Sequence, residues 1–309
     1  MEKTIKNKEL ISIITPIHVK DINNLGNFIE QLNLFNNTIK DLEIILVLNG
    51  GNSDSFEPFK NNLMSNDFSN LKILEFNLEL IIGLARNLGA IHASGEYLIF
   101  MDCDVEVSEM SILALLKSLN SLNTDKYAAI MPGIQKYCGS TIWTELDSLE
   151  DKRSYECRIN ENNSLILYGP FNIIKTTIFK RLGGWEYRIV CSEDRDMALR
   201  ILNIGKKIKY IPEIVICHKN PTSFKNVLKR KIFHAKVNAL VYERYPLYYK
   251  KSTKDWVNMV KPKLNIKYNI FGLLYAVSIF TYFIVFYYSR FVLKRNYYHL
   301  IKIEPFYLI

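Results

Sequence analysis

Short apolar runs alternating with segments of helical periodicity constrain the first two hundred residues of this 309-residue chain more than any other feature. Leu10-Ile11-Ser12-Ile13-Ile14 is a strand-length run closed by Thr15-Pro16. Glu43 to Leu48 is a second, running into the turn-forming Asn49-Gly50-Gly51-Asn52. Leu71 to Phe76 and Tyr97 to Met101 are the third and fourth. Between them Ile22, Leu25, Phe28, Ile29 and Leu32 recur at helical spacing, and Phe56 to Met64 and Ile81 to Ala93 also read as helices. Strands alternating with helices pack as a mainly parallel sheet covered on both faces, so the fold class is α/β. Such sheets bind ligands beyond the carboxyl ends of their strands. After a helix over Ser111 to Leu122 and a strand from Tyr127 to Pro132 the pattern loosens. The polar, aromatic stretch from Lys136 to Asn163 is expected to shape an acceptor side, and order returns at Leu165 to Tyr168.

The fourth strand ends in Asp102-Cys103-Asp104. Residues at i and i+2 of a strand point the same way, so the pattern delivers both acids to one side with Cys103 turned away. Burying such a pair is costly unless something compensates the charge. A divalent cation carrying a phosphorylated ligand would do so, since Mg²⁺ and Mn²⁺ prefer oxygen donors; acids that solvate a strand end are the alternative.

A second acidic cluster follows Gly183-Gly184-Trp185. Ser192 can cap a helix whose first turn carries Glu193, Asp194 and Asp196, an arrangement the helix dipole favours. A carboxylate at a helix start that opens onto a cleft is also placed to act as a general base.

The formal net charge is +9, and Lys and Arg crowd residues 206 to 267. No nucleic-acid recognition motif accompanies them. Ser223 to Tyr245 puts Phe224, Val227, Leu228, Ile232, Ala235, Ala239 and Leu240 near one helical face and most of its cations elsewhere. This basic amphipathic helix suits an anionic membrane surface or packing on the preceding domain. Tyr268 to Ser289 then runs without a charged residue, long enough as a helix to cross a hydrocarbon core of about 30 Å. The expected division is a catalytic domain over 1–220, an interfacial helical region over 221–266, and an anchor over 267–309 with one transmembrane helix at 268–289. Five cysteines stand singly, without C-x-x-C spacing; their odd number argues against a complete disulfide framework, and a reducing cytoplasm fits them. The first residues, MEKTIKNKEL, lack the apolar core of a secretory signal.

Taken in order, Ile11-Ser12-Ile13-Ile14-Thr15-Pro16, Glu43 to Val47, Gly83-Leu84-Ala85-Arg86-Asn87-Leu88-Gly89, Ala93-Ser94-Gly95-Glu96-Tyr97, Met101-Asp102-Cys103-Asp104, Gly183-Gly184-Trp185, Glu193-Asp194 and Pro212 followed by His218 resemble family 2 glycosyltransferases. The resemblance implies a Rossmann-like GT-A fold and an inverting transfer from a nucleotide-diphosphate sugar. It implies that Asp102 and Asp104 hold Mg²⁺ or Mn²⁺ and that Arg86 contacts the nucleotide. Thr15, Pro16, Asn49, Cys103, Gly184 and Trp185 would line the nucleotide-sugar site. Asp194 is the implied base, with Glu193 the alternative. His218 matches a position that ligates the metal in some relatives, though a lone His after an apolar strand also suits packing. Where many relatives have one or two aspartates after the second strand, this chain has Leu48-Asn49. The Q-x-x-R-W motif of processive synthases is absent, which points to addition of one or a few sugars. The expected partners are a nucleotide-sugar donor, a glycan or lipid-linked acceptor and membrane lipid, at the cytoplasmic face of the cell membrane. Transfer to a polyprenyl phosphate and a nucleotide-sugar-binding scaffold without turnover are the alternatives.

Overall fold

The structure is a computed structural model that describes residues 10–66, 68–134, 141–218, 222–245 and 269–296. The first nine residues, Cys138, the flanking Lys261, Lys263 and Lys267, and the tail after 296 lie outside these.

Four strands, β1 (Ile11–His18), β2 (Leu42–Asn49), β3 (Leu71–Phe76) and β4 (Tyr97–Met101), run parallel in the spatial order β3-β2-β1-β4. β2 and β4 are buried at every position, the signature of a parallel sheet covered on both faces. The covering helices in this half are α1 (Gly26–Thr38), α2 (Ser53–Met64) and α3 (Ile82–Ile91). Thr15-Pro16 does not close β1, which continues to His18. A proline is tolerated here because β1 pairs with β4 only as far as Ile14, so one side of the strand needs no donor from Pro16.

Beyond β4 lie β5 (Val105–Val107), α4 (Glu109–Asn120), β6 (Tyr127–Ile134), α5 (Ile142–Glu156), the short hairpin β7 (Ile159–Asn160) and β8 (Asn163–Ser164), β9 (Phe171–Lys175), α6 (Thr176–Arg181), α7 (Glu193–Asn203) and β10 (Lys207–His218). The expected mixed α/β architecture is present, but the sheet is not parallel throughout. β9 enters antiparallel between β4 and β6, while β6 pairs parallel with β10. Its antiparallel sense follows from where it starts: the Asp102 N–H donates to Pro170 O at 2.8 Å, so the chain reaches the carboxyl end of β4 and can only run back along it. One hydrophobic cluster fills both faces of the sheet, from Ile11 to Ile216.

Among the described residues two helices follow, α8 (Phe224–Arg244) and α9 (Asn269–Asn296). α8 buries Val227, Ala235 and Ala239 as its spacing suggests, but Lys231 and Asn238 complete that face. The expected transmembrane helix at 268–289 is corrected. Residues 269–289 are helical, yet among the described residues no helix is long and apolar enough to cross a membrane. One face of α9 is committed to protein: Phe286 is buried against Ala235 and Ala239, and Tyr282, Val285 and Leu293 pack beside it. Tyr282 OH accepts a hydrogen bond from Asn238, and Arg290 forms an ion pair with Glu243 of α8.

Candidate active site at the carboxyl ends of the strands

Asp102 and Asp104 follow the last residue of β4, so a turn rather than the strand pleat brings them round. Val105 N–H closes that turn on Asp102 O at 3.2 Å. β5 then pairs antiparallel with the end of β10 in a register that sets His218 opposite Val105. His218 Nε2 thereby comes within 3.4 Å of Asp104 Oδ1. One ligand atom each from Asp102, Asp104 and His218 lie within 4.8 Å of one another. Two carboxylates and an imidazole are donors that suit Mn²⁺ or Mg²⁺. Burial pulls the His218 imidazole down, but Asp104 and Asp102 outweigh it and hold the ring above its ordinary value. Cys103 packs against the core, as its place between the acids suggests. Burial and the flanking carboxylates push its thiol far up, so it is not an ionised nucleophile at neutral pH.

The second acidic cluster faces the first. Ser192 precedes α7 in the left-handed region (φ 69°), and its hydroxyl does not cap the helix as expected. It donates instead to Asn238 Oδ1 at 2.7 Å. Glu193 is held by Arg86, whose Nη1 lies 2.6 Å from Glu193 Oε1 while Nη2 lies 2.6 Å from Asp102 Oδ1 and 2.9 Å from Gly169 O. Burial raises the Glu193 carboxyl to about 7 despite that partner. Asp194 accepts from Gly169 N–H at 3.1 Å and from Arg195 N–H at 2.8 Å. Burial raises its carboxyl too, against the pull of Arg195. Asp194 lines a cavity that also reaches Asp102 and His218, whereas Glu193 does not. Asp196, third acid of the turn, is engaged by Arg200 at 2.7 Å and by Tyr245 OH at 2.6 Å, a structural role.

Arg86, expected at the nucleotide, is 1% exposed and is spent on bridging the two acidic clusters. Asn49 is likewise committed: its amide donates to Ile17 O at 3.2 Å and accepts from Leu80 N–H at 3.1 Å, pinning the loop before α3 to the end of β2. Thr15 is fully buried and Pro16 is buried within β1. Trp185 lies in the core, its ring edge-on to Phe100 with centroids 5.0 Å apart. Asn87 fixes this segment by accepting from Trp185 N–H and donating to Trp185 O, both at 2.8 Å. Gly184 (φ +76°) passes so close to Asn87 that an added Cβ would lie 2.6 Å from its Oδ1. Gly184 and Trp185 therefore support Arg86 from beneath, with its guanidinium 5.5 Å from the Trp185 ring. Sequence reasoning missed Gly169, Asn87, Arg195 and Asn238; the Asn87 in the Arg86-Asn87 pair was visible, but its partner is 98 residues away. Among the cysteines, Cys103, Cys157 and Cys191 are free thiols, whereas Cys217, beside His218, is disulfide-bonded, correcting the expectation of single thiols there.

The chain is 23% identical over 289 residues to the probable glycosyltransferase YdaM of Bacillus subtilis (strain 168), covering 91% of this chain and 64% of that protein's length. Its fold is similar to that of the mannosyltransferase PcManGT from Pyrobaculum calidifontis, solved with GDP-Man and Mn²⁺, at a TM-score of 0.59 and 14% identity over 94% of this chain and 75% of the other. GalNAc-T7, solved with UDP, GalNAc and Mn²⁺, superposes at a TM-score of 0.52 and 17% identity, covering 78% of this chain and 51% of that one. Residues 12–183, which contain both strand-end acids and Arg86, match the family described as Glycosyl transferase family 2, and the chain belongs to that family.

Proposed function

We propose that this chain is a metal-dependent inverting glycosyltransferase that moves a sugar from a nucleotide-diphosphate donor to a hydroxyl of a glycan or lipid-linked acceptor. The observation that carries the reading is that Asp102 and His218, which cluster with Asp104, line one cavity together with Asp194 at the carboxyl ends of the strands. Asp102, Asp104 and His218 are the residues that would hold Mg²⁺ or Mn²⁺, and the ion, when bound, supplies positive charge to the leaving diphosphate. In a single displacement the acceptor oxygen bonds to the anomeric carbon as the bond to the diphosphate breaks, and the bonding pair leaves with the nucleotide. The hydroxyl proton passes to Asp194, whose burial raises its proton affinity toward the working range of a general base. Arg86 neutralises Glu193 and orients Asp102, so that of Glu193 and Asp194 it is Asp194 that lines the cavity. The Mn²⁺ and nucleotide ligands of PcManGT and GalNAc-T7 support this donor and metal class. A thermal-shift screen of nucleotide sugars with and without Mn²⁺ tests it, because stabilisation follows affinity by mass action. One nucleotide sugar should raise Tm only with Mn²⁺; no shift with any donor would contradict the reading.

Attachment to the cytoplasmic face of the cell membrane belongs to the same proposal, in a form that lies on the surface. The side of α9 away from α8 exposes Val277, Phe280, Ile284, Tyr287 and Phe291 at helical spacing, with Phe280 66% exposed. α8 adds exposed Lys225, Lys229 and Lys236 for anionic headgroups. Sedimentation with anionic vesicles should be lost in the double variant Phe280→Asp, Ile284→Asp; equal sedimentation of both proteins would contradict surface attachment.

A further inference from the structure

A cavity of about 320 Å³ runs from Asp102, Asp194 and His218 to Ile279 and Tyr282 of α9. That is within the roughly 300–1,000 Å³ of small-molecule sites. Its walls come from α5, the loop before β9, the start of α7, α8 and α9, so the C-terminal helices close one side of the catalytic region.

The charges in these walls are compensated. Arg230 pairs with Asp147 and with Asp151 at 3.0 Å. Lys231 pairs with Glu150 at 2.7 Å and Asp147 at 3.5 Å. Arg195 lies beside Asp194 and donates to Asn238 Oδ1 at 3.0 Å. His218 faces Asp104. Burial and the neighbouring Arg230 and Arg195 hold His234 down at about 4, which leaves it neutral at pH 7. Bringing a phosphate into such a wall would bury a charge without a dedicated partner, which is unfavourable.

Beside Pro170, Cys191 and Ile279, the rest of the lining carries hydroxyl, amide and aromatic groups. Tyr155 and Tyr168 present rings edge to face, with centroids 5.0 Å apart. Asn238, buried on α8, accepts from Ser192 and Arg195 and donates to Tyr282 OH at 2.9 Å. It therefore ties the α9 wall to the helix start that carries Asp194. Ring faces beside a rim of hydroxyls and amides match a sugar, which offers C–H faces edged by hydroxyl groups.

We propose that this cavity is the acceptor site and that it takes a neutral, hydroxyl-bearing sugar rather than a phosphate nucleophile. The inference rests on the glycosyltransferase reading above and narrows its acceptor class. The experiment uses the full chain with Mn²⁺ and the donor identified by thermal shift, measuring nucleotide release with no acceptor, with neutral alkyl glycosides and with a polyprenyl phosphate. Glycosides should accelerate release and the polyprenyl phosphate should not. Tyr155→Ala should raise the acceptor KM by about tenfold, equivalent to the loss of one good contact, with a much smaller change in donor KM. Tyr155→Phe, which keeps the ring, should give the same split in reduced form if the alanine variant folds poorly. Preference for the polyprenyl phosphate, or equal change in both KM values for both variants, would overturn the proposal while leaving the enzyme a glycosyltransferase. Absence of donor turnover under every condition would overturn the glycosyltransferase reading and this proposal with it.

Discussion

Removing the Arg86 guanidinium should strand two carboxylates at once, and the size of that effect can be worked out from its contacts. Arg86 is 1% exposed and lies 2.6 Å from both Asp102 and Glu193. Breaking a buried ion pair by deleting one partner costs about 3–5 kcal/mol, because the other charge is left uncompensated. Two pairs do not double the figure. The Asp102 side chain is 26% exposed and recovers part of its hydration, and Glu193 can take up a proton. With Arg86 present, burial already lifts Glu193 to about 7. Without it the carboxyl rises further above its unfolded value of 4.5. A carboxyl raised in the folded state costs nothing below the unfolded pKa, and its penalty grows as pH climbs to the folded pKa. Wild type stops accumulating that penalty near pH 7, whereas Arg86→Met continues above it. The expected deficit is therefore about 3–5 kcal/mol at roughly pH 8.5 and smaller at roughly pH 6. Urea unfolding followed by tryptophan fluorescence measures it, since Trp185 sits against the guanidinium. In the Glu193→Gln background the cost of Arg86→Met should fall by at least about 1 kcal/mol, the coupling expected for residues in contact. A deficit below about 1 kcal/mol at the higher pH, or strict additivity in the cycle, would refute the bridging role.

Three further outcomes follow from single contacts. Burial alone would push Glu43 up, but Lys72, Ser12 and Ser94 reverse this and hold it at about 2. Its contribution of about 3 kcal/mol is present above the unfolded pKa and is lost as pH falls from about 4.5 to about 2. Glu43→Gln should flatten urea midpoints over that window, and an unchanged slope would count against the network. Gly184→Ala should cost about 1–3 kcal/mol, since the residue combines φ +76° with a Cβ position 2.6 Å from Asn87 Oδ1; an unaltered Tm would contradict this. Asp104→Asn should weaken Mn²⁺ binding by more than the about 10- to 100-fold lost with an outer-shell partner, read by calorimetry, and equal affinity would exclude Asp104 as a ligand.

What the sequence made legible was whatever local period or composition encodes. β2 and β4 declare themselves by continuous apolar runs, and the acid pair stands out because it ends one of them. α5 was not foreseen because its buried positions include Thr144, Asp147 and Ser148, so no apolar stripe marks the helix. Phe171–Lys175 was not read as a strand, and no local pattern would have given its sense: a buried apolar strand reads the same in either direction, and the contact between Asp102 and Pro170 sets it. At the site, the residue types were legible and their partners were not. Arg86 and Glu193 are 107 residues apart, and nothing near either one indicates that they pair. The apolar stretch in α9 carried a membrane signal by length and composition, but the protein contacts of Tyr282, Phe286 and Arg290 are invisible to both.

The central claim is that Asp194 removes the acceptor proton at a site where Glu193 is held by Arg86. The direct measurement is steady-state kinetics of Asp194→Asn beside Glu193→Gln, with donor affinity recorded for both. Asp194→Asn should lower kcat by about 10²–10⁴-fold, the range for loss of a general base, with donor binding retained. Full kcat in Asp194→Asn, or a loss of that size confined to Glu193→Gln, would contradict the account.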